Sequence, residues 1–164
     1  MTLEHASEQP YTTRASRELC RSGRLALVVD DIEMPGGGSH QNRWFRATSA
    51  AFIVPVFEDG STMLVRQWRH PWGQTSWEVP AGTLEEGEDP MAGAQRELLE
   101  EAGLRASSWT PLGVLRPSAL LDSRQFLFLA QGLVDALEEA LGGGIAHATA
   151  VSALCRAARA VGRL

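Results

Sequence analysis

The sequence predicts an α+β fold in one domain, with a mixed β-sheet and at least two helices. The chain has 164 residues, and about 150 residues is typical of a single domain. Short β-branched runs alternate with glycine- and proline-rich turns, which predicts strands. One longer segment carries capping residues at both ends, and another repeats apolar residues every three or four positions, which is typical of helices.

The first elements are expected to form an N-terminal hairpin. Residues 1–18 are polar and aperiodic, which indicates a flexible tail. Arg24–Met34 and Asn42–Ala50 predict two strands, and Pro35–Gly38 between them predicts a turn. The backbone amides of this turn are also able to cradle a phosphate, but no helix is predicted after it, which favours a plain hairpin turn.

A second hairpin is predicted next. Ala51–Phe57 and Thr62–Gln67 read as strands that flank an Asp59-Gly60 turn, and such a turn supplies the positive φ of a tight hairpin. Ser76–Val79 is expected to be a short strand that ends at Pro80.

The clearest helix is predicted over Pro90–Ala102. Asp89 precedes it, proline suits the first helical position, and Gly103 suits the C-cap. Two more strands and a final amphipathic helix that closes the core are expected further along, over Trp109–Leu115, Gln125–Ala130 and Ile145–Val161.

Composition excludes several classes of function. The formal charge is −5 and all fifteen basic side chains are arginine, so lysine-dependent Schiff-base and P-loop chemistry is excluded. The acidic balance argues against nucleic acid or an anionic membrane as a partner. Cys20 and Cys155 lack metal-ligand spacing, which argues against zinc or a disulfide framework. No apolar run suggests a signal peptide or a membrane span, and a cytoplasmic protein is expected.

The predicted helix carries a group of carboxylates. Glu97 and Glu101 are four residues apart and share one face, with Glu100 beside them. Such like charges repel, and a cation between them removes the penalty. Oxygen-only ligands suit Mg²⁺ or Mn²⁺. The alternative is a solvated charged face, in which Arg96 pairs with Glu100 one turn away.

The stretch from Gly82 to Leu104 resembles the Nudix box at every defined position. It reads glycine, five residues, glutamate, seven residues, then Arg-Glu-apolar-any-Glu-Glu-any-Gly-apolar. The resemblance implies an αβα sandwich in which a mixed sheet lies between helices. It also implies hydrolysis of a nucleoside diphosphate linked to another group, with divalent cations that neutralise the pyrophosphate and activate water.

The same resemblance implies a role for each residue of the box. Four carboxylates and one carbonyl are implied as ligands of Mg²⁺, with Mn²⁺ as the other option: Glu97, Glu101, Glu100, Glu88 and the carbonyl of Ala81. The candidate catalytic residues are Glu97, Glu100, Glu101 and Arg96, with Glu100 as a further ligand or the base. Arg96 resembles the arginine that orients these carboxylates.

Three flanking segments are similar to the ADP-ribose pyrophosphatase and nucleotide-sugar branch of the family, namely LVRQWRH, SWEVPAG and GEDP. This branch implies a homodimer through N-terminal strands. After the flexible tail expected over residues 1–18 from its composition, it implies a hairpin arm for dimerisation or substrate over 19–50 and a hydrolase domain over 51–164. Four residues are implied as substrate-binding: Arg69 for the diphosphate or sugar, Glu78 near the ribose, and also Arg46 and Trp77. The alternative for Arg69 is a surface salt bridge. Trp68, Trp72 and Trp77 cluster around this arginine, and they are expected either to stack on a nucleobase or to lie in the core or a dimer interface.

Two departures from the branch pattern weigh against ADP-ribose itself as the substrate more than against the substrate class. After the box the branch carries proline, glycine and an acidic pair, whereas residues 116–124 read RPSALLDSR. A stretch of about 20 residues that holds a catalytic acid in many members is also not found after Leu133, either because it is deleted or because the given sequence omits a loop. If the loop is absent, Glu100 is a better candidate base than Glu138 or Glu139. Two alternatives stay open: hydrolysis of modified nucleoside triphosphates, and a module that binds a nucleotide sugar without turnover.

Overall fold

The computed structural model describes residues 10–136. The described residues form two compact units, one of residues 10–48 with 116–124 and one of residues 49–115 with 125–136. No helix in the described range is long and apolar enough to cross a membrane. The expected helix at Ile145–Val161, the weak acid candidates Glu138 and Glu139, and Cys155 lie outside the described residues.

The first unit is a four-stranded sheet. Its strands in the order of the sheet are β1 (Thr12–Ser22), β2 (Leu25–Glu33), β3 (Ser39–Ala47) and β9 (Leu121–Asp122). The β2–β3 hairpin is confirmed, and the three glycines of its turn take φ values between 87° and 104°. These values favour glycine, so the turn composition has a conformational cause.

The prediction of a flexible tail over residues 1–18 is wrong for residues 12–18, which lie in β1. All eleven side chains of this strand are exposed, so no apolar alternation marks it in the sequence. The strand is held instead by its ladder with β2 and by cross-strand ion pairs, Arg14 with Glu33 and Arg17 with Asp31. Backbone hydrogen bonds therefore stabilise β1, and the pattern of its side chains does not predict such bonds.

The second unit contains a mixed sheet and a separate two-stranded ribbon. The sheet order is β7 (Ala81–Thr83), β4 (Ala50–Pro55), β10 (Gln125–Asp135) and β8 (Leu104–Leu115), and β4 runs parallel to β10. The ribbon joins β5 (Val65–Arg69) to β6 (Gln74–Glu78). A mixed sheet with a helix against it confirms the α+β fold class.

The second predicted hairpin is wrong in its pairing. Around the turn at Gly60 (φ 81°) only the isolated bridge Val56–Thr62 forms. β10 pairs with one edge of β4 over its full length, and β7 pairs with Ala50–Phe52 on the other edge, so residues 62–67 do not form a ladder along β4. The later part of that segment instead becomes β5 and pairs with β6.

The helix α1 (Pro90–Ala102) has the predicted bounds. The Asp89 side chain accepts hydrogen bonds from the backbone N–H groups of Met91 and Ala92, and Gly103 closes the C-terminus with φ 66°. Leu98 and Ala94 are fully buried against the sheet residues Ile53 and Ala130 in one core cluster. The polar side of α1 therefore holds a fixed position beside the sheet.

Candidate active site

Arg96 lies at the centre of the charged cluster on α1. Its Nε and Nη2 each donate to one carboxylate oxygen of Glu88, at 2.9 Å. Its Nη1 donates to Glu97 Oε1 at 2.7 Å and to Glu100 Oε2 at 3.2 Å, and Nη2 reaches the Thr83 carbonyl at 3.3 Å. One guanidinium thus orients three carboxylates at once.

These contacts shift the pKa of two groups. Hydrogen bonds from Arg96, and then one from the backbone N–H of Glu85, lower the pKa of Glu88 from 4.5 to about 2. Hydrogen bonds to Glu88 and Glu97 raise the pKa of Arg96. Both groups therefore stay charged at neutral pH, and the cluster keeps its internal counter-ion.

Glu97 is the buried carboxylate of the cluster, with 8% of the residue exposed. It lies directly against Gly82. A Cβ atom on Gly82 would lie 1.9 Å from Glu97 Cδ and 2.0 and 2.2 Å from its two oxygens. Real Cβ contacts are essentially never this short, so a side chain at this position would displace the Glu97 carboxylate.

Glu101 and Glu100 complete the acidic face. Glu101 Oε2 accepts a hydrogen bond from the Ala81 backbone N–H at 2.9 Å. The Glu100 side chain is 57% exposed, and among residues 10–136 its ion-pair partner is Arg96. The Ala81 carbonyl is predicted as a metal ligand, and the Ala81 N–H also fixes the neighbouring Glu101 carboxylate.

The donor set fits a hard divalent cation. Every donor is an oxygen, and residues 82–104 hold seven acids against one arginine. Within the described range no three His, Cys, Asp or Glu side chains already surround one cation position. Mg²⁺ retains several waters and shares its coordination with substrate phosphates, so an open set of carboxylates is compatible with it.

Arg69 and Glu78 form a two-point ion pair in the β5–β6 ribbon. Arg69 Nε donates to Glu78 Oε1 at 2.8 Å, and Nη2 contacts Oε2. The pair lowers the pKa of Glu78 and raises the pKa of Arg69, to which the charge of Glu101 contributes a smaller part. The structure therefore brings both predicted substrate residues together and sets Arg69 within electrostatic reach of Glu101.

Trp77 is not brought together with this pair. Side chains alternate along a strand, so Trp77 lies on the ribbon face opposite Glu78, across from Arg66. The Arg66 guanidinium lies 6.0 Å from its ring, and 66% of Trp77 is exposed. Trp68 and Trp72 are exposed as well, so none of the three belongs to the core.

Arg46 lies in the first unit. Its guanidinium is 5.2 Å from the Trp44 ring centre and 3.7 Å from Glu18. In the β3–β9 pairing its register partner is Asp122, so the segment that departs from the branch pattern lies beside it. A cavity of about 630 Å³ opens here, with Tyr11, Asn42, Trp44, Arg116 and Leu121 in its wall.

Sequence reasoning did not find three contacts of the site. They are the Thr83 carbonyl on Arg96, the Ala81 N–H on Glu101, and the closure of Arg69 on Glu78. The first two use backbone groups, which carry no residue-specific signal. The third joins residues at opposite ends of a ribbon, where Arg69 is in register with Gln74 and Glu78 with Val65.

Comparisons with known proteins identify the family and the fold. The NUDIX domain family matches residues 46–145. A curated relative, the ADP-ribose pyrophosphatase of Mycobacterium tuberculosis, is 37% identical over 129 residues, which cover 77% of this chain and 62% of the relative. The ADP-ribose pyrophosphatase of Bacillus subtilis is 35% identical over 126 residues, which cover 76% and 68%. The chain thus spans about two thirds of the length of these relatives.

A solved structure supports the fold. The crystal structure of an ADP compounds hydrolase superposes with a TM-score of 0.70 and covers 98% of this chain and all of its own. At 23% sequence identity this likeness concerns the fold alone.

Proposed function

The chain belongs to the NUDIX family, and on that premise we propose that it hydrolyses the pyrophosphate bond of a nucleoside diphosphate linked to a second group. ADP-ribose or a related nucleotide sugar is the proposed substrate, with a nucleoside monophosphate and a sugar phosphate as products. The observation that carries the proposal is the acidic face of α1, where Glu97, Glu100 and Glu101 lie together beside Ala81 and Gly82.

In the proposed reaction one water adds to a phosphorus, the bridging P–O bond breaks, and the bridging oxygen leaves with the other phosphate. Glu100 is the proposed acceptor of the water proton, because it is the exposed carboxylate of the three. Arg96 keeps Glu97 and Glu100 in place. Arg69 is proposed to bind the anionic diphosphate, and positioning of water and phosphate supplies much of the acceleration.

A divalent cation, Mg²⁺ or alternatively Mn²⁺, is proposed to be held by Glu97 and Glu101, with Glu100, Glu88 and the Ala81 carbonyl as further candidate ligands. When bound, the cation would neutralise phosphate charge and increase the acidity of water. The excess of six negative charges over residues 82–104 favours such a cation.

A homodimer through the N-terminal strands is proposed as well. Leu19 on β1, Leu25 on β2 and Phe45 on β3 are between 40% and 53% exposed. Contiguous exposed apolar patches mark protein–protein interfaces, and a patch formed by these side chains is part of the proposal. Arg46 lies on the same sheet and, with Trp77, remains a proposed substrate contact. A cytoplasmic location stays a prediction of the sequence.

The proposal is tested by product analysis. The purified protein is incubated with ADP-ribose, ADP-glucose, GDP-mannose, a dinucleotide and nucleoside triphosphates, with Mg²⁺ or Mn²⁺, in water enriched in heavy oxygen. Mass spectrometry is expected to find a nucleoside monophosphate and a labelled or unlabelled sugar phosphate, which also identifies the phosphorus attacked. Cleavage of no diphosphate substrate would contradict the proposal, and release of pyrophosphate from triphosphates alone would favour the alternative reaction.

A further inference from the structure

The two-point contact between Glu78 and Arg69 is less exposed than the pair of the same geometry between Glu18 and Arg21, whose side chains are 34% and 49% exposed. Glu78 Oε1 accepts from Nε of Arg69 at 2.8 Å, while Oε2 contacts Nη2, so the carboxylate grips one edge of the planar guanidinium. Two parallel contacts fix the orientation of that plane as well as its position. The Glu78 side chain is only 19% exposed and that of Arg69 is 38% exposed, so the carboxylate is the anchored partner.

Among the described residues, the other edge of the Arg69 guanidinium carries no hydrogen bond. A guanidinium carries five N–H donors, and within residues 10–136 no acceptor is hydrogen-bonded to Nη1 of Arg69. Arg96 differs, because Nε, Nη1 and Nη2 all donate to protein oxygens. Of these two arginines, Arg69 is therefore the one with donors left for a ligand.

Glu78 is tied by the backbone to the acidic face of α1. Three residues after it, the Ala81 N–H binds Glu101 Oε2 at 2.9 Å. Pro80 between them is fully buried, and its carbonyl accepts from the N–H of Ile53 at 2.9 Å. A short, anchored segment thus carries both the support of Arg69 and the support of Glu101.

From this geometry we infer that Glu78 is a positioning residue, which holds the Arg69 guanidinium so that its free edge binds the diphosphate of the substrate. The inference rests on the proposed function for the identity of that anion. It assigns Glu78 to Arg69 and not to the ribose, and it explains why a carboxylate lies next to an anion site where charge alone disfavours it.

The two possible roles of Glu78, masking the charge of Arg69 or positioning its guanidinium, predict opposite effects of Glu78→Gln on anion binding. Removal of a negative charge near an anion site strengthens anion binding if Glu78 only masks Arg69. If Glu78 positions Arg69, the loss of the two-point grip weakens binding. Glu78→Asp keeps the charge but withdraws the carboxylate by one methylene, so only the positioning role predicts weaker binding for both variants.

The test measures binding of methylenediphosphonate by titration calorimetry, with and without Mg²⁺, because its P–C–P bridge is not hydrolysed. Glu78→Gln and Glu78→Asp are expected to weaken binding about tenfold, the effect of one lost hydrogen bond to a charged group. Glu78→Gln is expected to add no further loss in an Arg69→Ala background. Glu33→Gln, which breaks the exposed Arg14–Glu33 pair, is the matched control and is expected to bind as the wild type does.

The inference would be overturned if Glu78→Gln bound the diphosphonate more tightly, or if both variants bound it as the wild type does. It would also be overturned if Glu78→Gln caused an equal further loss in the Arg69→Ala background, or if the wild type did not bind the diphosphonate. Its failure is separable from that of the proposed function. If the wild type cleaves no nucleoside diphosphate but the diphosphonate results are as expected, the inference stands and the proposed function falls. If it cleaves the substrate while the Glu78 variants retain wild-type KM and diphosphonate affinity, only the inference falls.

Discussion

At the scale of single residues, the proposed site depends on how closely charged side chains are brought together. Glu97 lies against Gly82, Glu88 grips Arg96 with both oxygens, and Glu101 rests on the Ala81 N–H. Each carboxylate thereby has a fixed partner and a fixed direction. A site that depends on such contacts is sensitive to changes of a single methyl group.

Gly82→Ala is predicted to displace the Glu97 carboxylate, because the new Cβ would lie 1.9 Å from its Cδ. A displacement of about 1 Å at a reacting centre lowers rates by about a hundredfold, and a loss of this order in kcat/KM is expected. The double variant Gly82→Ala with Glu97→Ala has no such clash. Its Tm is therefore expected to be higher than that of Gly82→Ala alone, while its activity stays low. A Gly82→Ala variant with wild-type activity would contradict this account of the glycine.

Glu88→Gln is predicted to change the pH dependence of stability. The pKa of Glu88 is lowered from 4.5 to about 2, so the ionised group stabilises the fold above about pH 4.5, and this contribution is lost as the pH falls towards 2. The wild type is therefore expected to have the higher Tm at pH 6, with a difference that narrows below pH 4.5. Parallel Tm curves for the two proteins across this range would contradict the prediction.

At the scale of elements, local sequence signals predict the bounds of the helix correctly, but they do not predict which strands pair. The caps Asp89 and Gly103 act within a few residues of the chain, and they set the bounds of α1 correctly. Val65–Arg69 pairs with β6, while β4 pairs with β10, a strand far along the chain, and no signal within these segments identifies the partner. β1 was missed because its contacts are backbone hydrogen bonds and exposed ion pairs.

Asp89→Ala is predicted to destabilise α1, because it removes the acceptor for the N–H groups of Met91 and Ala92. Loss of such a cap costs about 1 kcal/mol, which urea unfolding measures as a lower midpoint at unchanged slope. Asp89→Asn retains a side-chain acceptor and is expected to lie within a few tenths of a kcal/mol of the wild type. An equal loss in both variants would show that the charge matters and the cap does not.

At the scale of the whole molecule, the sequence alone identified the segment that carries the chemistry. The net charge is −5, and residues 82–104 contribute seven acids and one arginine, so the remainder of the chain is close to neutral. The structure added how these acids are supported, through Arg96, Gly82 and Ala81, and it set Arg69 and Glu78 in one pair. Those contacts were beyond sequence reasoning because they join separate elements through space.

The proposed homodimer is tested by sedimentation velocity. The wild type is expected to sediment as a dimer, and Leu25→Glu, which puts a charge among the exposed apolar side chains of the first sheet, is expected to shift it towards monomer. Leu112→Glu on β8, an equally exposed apolar position in the second unit, is the matched control and is expected to leave the dimer intact. A monomeric wild type would contradict the proposal.

The central claim is that the acidic face of α1 drives hydrolysis of a nucleoside diphosphate sugar. The most direct measurement is the rate of AMP release from ADP-ribose in Mg²⁺ by the wild type, by Glu101→Gln, and by Glu58→Gln as a control on an exposed turn. The account predicts turnover by the wild type and by Glu58→Gln, and a loss of several orders of magnitude in Glu101→Gln with its fold intact. Equal turnover by Glu101→Gln and the wild type would contradict it.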